Sequence, residues 1–251
     1  MSSLGVVSNL CFRLWQGLQE VPTTCASPHA GSATYEVGPG KTYSKIADVP
    51  LTTLQPGDWV CIYPGTYREK WVINRPGTAD KPIVFSGVAD ANGNRPVIDG
   101  DNAVTPTQLN YWNEIRGLIK IGGGSTPSGP ASYIRVQHLK LQNANPNYSF
   151  TTDSGGSATY KNTAACVYVE SGDHLDFVNN EITGCGNGIF TTKGSTDVLI
   201  ENNYIHGNGI FNRFTSTIRT QVHFGLPTEP TDSDHCAPVA RETISKTGLQ
   251  V

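Results

Sequence analysis

The sequence predicts an all-β solenoid, a stack of short coils each built from at least two strands. Three observations lead there. Residues Asp173 to Ile182 superimpose on Thr196 to Ile205 at an offset of 23 residues, and a repeat of that length marks stacked units of supersecondary structure. Apolar residues alternate through the match, with Leu175 on Val198, Phe177 on Ile200 and Ile182 on Ile205, as residues on one side of a strand must. Gly184, Gly186, Asn187, Gly188, Gly207, Asn208 and Gly209 gather at the ends of the matched segments, where corners need left-handed backbone.

The same offset lays Cys166 to Val169 over Ile189 to Thr192, which supplies the second strand of each coil. An earlier coil fits more loosely. Ile134 to Leu141 matches Leu175 to Ile182 at an offset of 41, the excess being the polar insertion Asn143 to Tyr160. Asn180 falls on Asn203, which predicts an internal asparagine ladder in which each amide bonds to the next coil. Such coils cannot bury their apolar side alone and must stack on their neighbours.

Ahead of the repeats, Gly57-Asp58 makes a turn before the strand Trp59 to Tyr63, and Pro64-Gly65-Thr66-Tyr67 closes the next corner. Together with Thr34-Tyr35-Glu36-Val37-Gly38-Pro39-Gly40-Lys41-Thr42-Tyr43, Leu54-Gln55-Pro56, Pro82 to Val88, Pro96 to Gly100, Asn110 to Trp112 and Ile119 to Gly123, this opening resembles right-handed parallel β-helix proteins of the pectate-lyase-like class. The resemblance covers about Ala33 to Phe214. It implies a right-handed parallel β-helix whose long, irregular first coils cap one end. It also implies a secreted or surface-associated protein that acts on polysaccharide, by β-elimination of uronic-acid polymers or by hydrolysis.

Composition narrows the alternatives. The chain has 251 residues, 27 Gly, 10 Tyr and 16% charged residues, the profile of a turn-rich β protein of a size to form one domain. A net charge of −3 without a basic stripe argues against nucleic acid, and the absence of a stretch of 18 apolar residues argues against a membrane span. Cys11, Cys25 and Cys236 lie outside the regular body, and no CxxC spacing exists. Cys61, Cys166 and Cys185 therefore read as buried free thiols. Residues 1–32 read as a leader: a degraded signal peptide, a disordered segment, or the product of a misassigned start.

From Thr215 the coil register ends. Shifted by one base, the codons of Thr215 to His223 permit Tyr-Glu-His-Asn-Thr-Tyr-Thr-Ser-Ala, and those of Thr231 to Val251 permit a string containing Asn-Asn-Leu-Lys-Asp-Arg-Ser, whereas Phe224 to Pro230 give nothing that matches. Both strings resemble further coils of the same family. The expectation is a frameshift or misplaced splice junction near Phe214, with 215–251 an aberrant tail that does not join the solenoid. The Lys-bearing string resembles a lyase strand, whose base takes the proton α to the uronate carboxyl. Since it is absent from the translated chain, the catalytic residues cannot be assigned and this polypeptide is expected to be inactive.

Among translated residues, Tyr111 and Trp112 offer faces for stacking on a sugar ring, with Glu114, Arg116 and Lys120 close behind. Covering the cap, or lining a solvated strand edge, explains the same residues. Glu170, His174 and Asp176 cluster in sequence around one turn, with Glu201 and His206 a coil away; paired carboxylates there would suit glycoside hydrolysis, and His206 would suit an acid or base. The carbohydrate-binding set is thus Tyr111, Trp112, Arg116, Lys120, Glu170 and His206. No cofactor is required, although Glu170, Asp173 and Asp176 are oxygen ligands of the type calcium takes. The reading is a secreted, monomeric β-helix enzyme of the lyase type acting on acidic polysaccharide. A non-catalytic glycan-binding solenoid and a glycoside hydrolase stand as alternatives.

Overall fold

The computed structural model describes residues 20–107, 113–123, 131–209 and 218–224. The early strands are β1 (Thr34–Val37), β2 (Trp59–Ile62), β3 (Thr66–Tyr67), β4 (Trp71–Ile73), β5 (Ile83–Gly87), β6 (Val97–Asp99), β7 (Ala103–Val104) and β8 (Gly117–Ile121). They are followed by β9 (Ala131–Gln137), β10 (Lys140–Gln142), β11 (Ser149–Thr151), β12 (Ser157–Thr159), β13 (Ala165–Val178), β14 (Glu181–Thr183), β15 (Asn187–His206) and β16 (Ile218–Phe224). Thirteen of them form one parallel ladder system, and β7, β11 and β12 form a small separate sheet. The architecture is the solenoid that the repeats imply, in the right-handed parallel β-helix form that the resemblance implies.

The ladder wraps into three faces. Face A stacks β4, β8 and the first parts of β13 and β15. Face B stacks β1, β2, β5, β9, then the later parts of β13 and β15. Face C stacks β3, β6, β10, β14 and the end of β15. Strand β13 runs through a corner from face A to face B, and β15 runs on through a second corner to face C, which explains their 14 and 20 residues.

Columns of left-handed residues make the corners. Tyr133, His174 and Asp197 separate A from B, His138, Asn179 and Asn202 separate B from C, and Asn143, Gly184 and Gly207 end face C; all have φ between 45° and 67°. Asn, Asp and Gly tolerate that backbone best, so the Asn- and Gly-rich sequence of the later coils is a direct requirement of turning. Gly186, Gly188 and Gly209, read as corner residues, are not among the positive-φ glycines. Asn187 begins β15, and its amide instead donates to the Thr163 carbonyl at 2.8 Å.

The offset of 23 holds on face B, where Leu175 pairs with Val198 and Phe177 with Ile200, and the offset of 41 places Ile134 under Leu175 and Leu141 under Ile182. Face A departs by one residue. Val167 stands on Ile189 and Tyr168 on Phe190, and an irregularity between Val169 and Ser171 absorbs the difference. The expected match of Val167 to Phe190 is corrected accordingly. A one-residue slip exchanges the two sides of a strand, and the observed register keeps Val167 on Ile189 and Val169 on Thr191, all four buried. The core is a series of such columns, among them Val60, Phe85, Val136, Phe177 and Ile200.

The asparagine ladder is present at the corner between B and C. Asn180 Nδ2 donates to Asn203 Oδ1 at 3.0 Å and to the Val136 carbonyl at 2.9 Å. Asn203 Oδ1 also accepts the Asn180 backbone N–H at 2.8 Å, and its Nδ2 donates to the Phe177 carbonyl at 2.7 Å. Both side chains are fully buried, so every bond offsets a desolvation that would otherwise be unmet.

The cysteines correct the sequence reading. Cys166 is joined to Cys185, and Cys25 to Cys61, with Cα separations of 5.6 and 5.8 Å, so none of the three body cysteines is a free thiol. Cys25 falls in the segment that reads as a leader, and sequence spacing alone gives no sign that a strand brings Cys61 beside it. From residue 20 onward that leader segment is tied to the first coils: the Pro22 carbonyl accepts from Ala89 N–H at 2.9 Å, and Ser27 Oγ donates to the Gly57 carbonyl at 2.7 Å. In the tail, Ile218–Phe224 pairs with β15 from Val198 to Ile205, so this stretch does take a place in the sheet. The pairing skips Asn202 and sets Val222 on Asn203, so it repeats neither the corner nor the ladder. Other tail residues lie outside the described set.

Candidate functional site

Face A brings together three of the residues singled out in sequence. Lys120 is on β8 and Glu170 on β13, and parallel pairing sets Lys120 beside Tyr168. The Lys120 ammonium lies 2.6 Å from Glu170 Oε2. Arg116, in the 3₁₀ turn Glu114–Arg116 that leads into β8, places its guanidinium carbon 5.4 Å from the Tyr168 ring centroid. Lys120 Nζ is 5.9 Å from the same centroid.

Tyr168 in turn stacks on Phe190, with ring centroids 5.4 Å apart and planes 7° from parallel. The row on the strand side opposite the Ile119, Val167 and Ile189 column is therefore Val72, Lys120, Tyr168 and Phe190, one from each successive coil; the first three are buried and Phe190 is half-buried. Its two aromatic members were missed in sequence because the expected register placed Phe190 on Val167. Gly123 turns the chain beneath Glu170 with φ +68°, and a Cβ there would meet Glu170 Oε2 at 2.7 Å. Its N–H donates to Ser171 Oγ at 3.0 Å.

Burial governs the electrostatics. The Lys120 side chain is 0% exposed and that of Glu170 is 30% exposed. Removal from water, aided by the Arg116 charge and opposed by Glu170, pulls the Lys120 pKa down to about 8. Glu114 moves the other way, its carboxyl raised by burial although it accepts the Asp153 N–H at 3.0 Å. Lys70, which the sequence did not flag, is enclosed by Phe150 and Tyr160, with Nζ 3.7 and 4.6 Å from their centroids and 2.5 Å from the Glu114 carbonyl. Burial pushes its pKa well below the usual lysine value.

The remaining candidates are dispersed. Tyr111 and Trp112 lie outside the described residues. Asp176 is on face B, bound through Oδ2 to Arg135 at 2.7 Å, while His174 sits at the A–B corner between Asp173 at 2.7 Å and Asp197 at 3.2 Å. His206 is on face C, stacked 4.0 Å from Tyr204 and 3.6 Å from Glu181, which also pairs with Lys140 at 2.7 Å. The cluster of Glu170, His174, Asp176, Glu201 and His206 is thus divided among three faces and a corner. The calcium set is divided too, since Glu170, Asp173 and Asp176 each bind a different partner. Among the described residues no three His, Cys, Asp or Glu side chains converge as metal ligands.

An open groove of about 840 Å³ lies elsewhere, at the capped end. It is lined by Lys41, Lys45, Arg68, Tyr67, Val104 and Thr107, among others.

No protein family matches the chain, and no curated protein matches it. Among solved structures it is similar to the pectin methylesterase from Aspergillus niger, at 14% identity and a TM-score of 0.49, covering 80% of this chain and 57% of that one. It is also similar to the GH136 lacto-N-biosidase from Eubacterium ramulus (14%, TM-score 0.41, 70% of this chain and 33% of that one) and to pectate lyase Pel9A (15%, TM-score 0.36, 77% and 62%). The chain spans a little over half of the esterase's length. No residue role is carried over from any of them.

Proposed function

We propose that this chain recognises an acidic polysaccharide along face A and, as it stands, turns it over little or not at all. The observation that carries this reading is the Arg116–Lys120–Glu170 group beside the stacked Tyr168–Phe190 pair, in which Phe190 is the more exposed ring. An aromatic face complements the apolar face of a pyranose. Arg116 supplies a fork of donors for a uronate carboxylate, and Glu170, held in place by Lys120, supplies an acceptor for sugar hydroxyls.

Catalysis by hydrolysis finds less support. It needs two carboxyl groups facing one bond, whereas Glu170, Asp176 and Glu181 are each ion-paired on a different face. A lyase reading keeps one specific support: a lysine with a pKa of about 8 is suited to abstract a proton near neutral pH. Its amine is enclosed and held by Glu170, so it would have to be uncovered before it could reach a substrate. Restoring the shifted frame beyond Phe214 would supply the Lys-bearing strand of the lyase type, and the transcript sequence across codons 208–220 tests that directly. The two disulfides support an oxidising, extracellular setting.

Titration of the purified chain with polygalacturonate and with a neutral glucan, followed by calorimetry and by absorbance of the unsaturated elimination product, tests the reading. Salt-sensitive binding of the uronate polymer without unsaturated product is expected, with Arg116→Ala weakening it by roughly 10-fold or more. Steady release of unsaturated product would replace recognition by lyase activity. Failure to bind either polymer would sink the reading.

A further inference from the structure

We propose that Asn147 is an N-glycosylation site. Asn147-Tyr148-Ser149 is the sole Asn-x-Ser or Asn-x-Thr triplet of the sequence in which x is not proline, and this triplet is the acceptor signal for N-linked glycan. A triplet alone is a frequent coincidence, so its setting in the fold decides its value.

Asn147 stands in the insertion that lengthens one coil to the offset of 41, on the segment between β10 and β11. The segment is a tight turn: Tyr148 N–H donates to the Asn145 carbonyl at 3.0 Å, and Asn147 N–H donates to Asn145 Oδ1 at 2.9 Å. Pro146 and Asn147 are exposed. The neighbouring asparagine shows the contrast, because Asn145 spends its amide on the Gly184 carbonyl at 2.7 Å, whereas the Asn147 amide has no hydrogen-bond partner among the described residues. Ser149 opens β11, the central strand of the small sheet, where it is paired with Thr159 and half-buried.

A glycan on this turn would project from the insertion without entering the solenoid. The two disulfides support folding in an oxidising compartment, the class of setting to which such modification belongs. The donor is a lipid-linked oligosaccharide diphosphate. Asn147 Nδ2 forms a bond to the anomeric carbon of its first sugar, the bond from that carbon to the diphosphate oxygen breaks, the lipid diphosphate leaves with the electron pair, and Nδ2 gives up one proton. The inference is independent of which polysaccharide, if any, face A binds.

The test is secretion of the full chain from a eukaryotic host, with intact-mass measurement before and after peptide N-glycosidase. A heterogeneous mass increase removed by the glycosidase is expected, with aspartate found at 147 by peptide sequencing afterwards. Asn147→Gln and Ser149→Ala abolish the increase, and Ser149→Thr retains it. Secreted wild-type chain with both disulfides formed and no added mass overturns the proposal, as does an increase that persists in Asn147→Gln.

Discussion

The regular coils and the capped end solve the same stacking problem by different means. In β13 and β15 one coil satisfies the next by repetition: the same inward residues, the same left-handed corners and an asparagine that bonds its own counterpart. At the other end there is no earlier coil to copy. Its backbone groups are met one by one, by Asp58 accepting from Ala33 and Gln55 at 2.8 and 2.9 Å, by Glu69 accepting from Ile46 and Ala47 at 3.2 and 2.8 Å, and by the Cys25–Cys61 bond. The contrast teaches that a solenoid's interior is specified by a rule and its end by individual side chains, as expected where each repeat contacts only its neighbours.

Breaking the rule is expected to have the largest effect. Asn180→Ala removes the acceptor of the Leu139 N–H and leaves the Val136 carbonyl and Asn203 Oδ1 short of a partner. Chemical denaturation is expected to show a loss of roughly 3–5 kcal/mol from these buried, unmet groups. A loss below about 1 kcal/mol would mean the ladder is ornamental.

Breaking the individual staples comes next. Cys25→Ser opens a bond of sequence separation 36 and is expected to remove about 3 kcal/mol, with hydrogen exchange rising in residues 20–37 and not in β13 or β15. Asp58→Ala frees two backbone N–H groups and is expected to remove about 2 kcal/mol, again confined to the cap. Equal exchange in both regions would abolish the distinction drawn above.

A smaller, pH-dependent effect sharpens the corner rule. His138 shares its column with Asn179 and Asn202, and burial followed by the charges of Arg95 and Arg135 lowers its pKa from 6.5 to about 4. The native state therefore keeps it neutral while the unfolded chain protonates it below 6.5, so the associated stability is present above that pH and is lost as pH falls toward 4. His138→Asn suits the left-handed site and is expected to gain on the order of 1–2 kcal/mol over the wild type between pH 6.5 and 4.5. A constant difference across that range would refute the assignment. Smallest is Arg135→Ala, expected to change stability by less than about 1 kcal/mol, because its pair with Asp176 is 43% exposed on the Arg side.

Much of this was legible beforehand. The ladder and the face B register follow from Asn180, Asn203 and the alternating apolar residues, since identical residues at a fixed offset can bond only by stacking. The face A register was not legible. Gly186, Asn187 and Gly188 supply as much corner chemistry as Gly184, and nothing local says which of them turns, so a slip of one residue hid the Tyr168–Phe190 pair. Arg116 and Lys120 read in sequence as neighbours of one groove, and Glu170 as a neighbour of His174 and Asp176; the fold instead sets Glu170 beside Lys120 and sends Asp176 and His206 to other faces, because closeness in sequence around a corner does not keep side chains on one face.

The sequence by itself determined the stacked β-solenoid, the face B register and the internal amide ladder, because each follows from a periodicity that recurs whatever the surroundings. The tertiary structure alone decided which cysteines join, which face carries the aromatic row, and that Lys120 is stripped of water beside Glu170. Those depend on the distance between segments 36, 22 or 50 residues apart in sequence, and such distances are set only when every coil has closed.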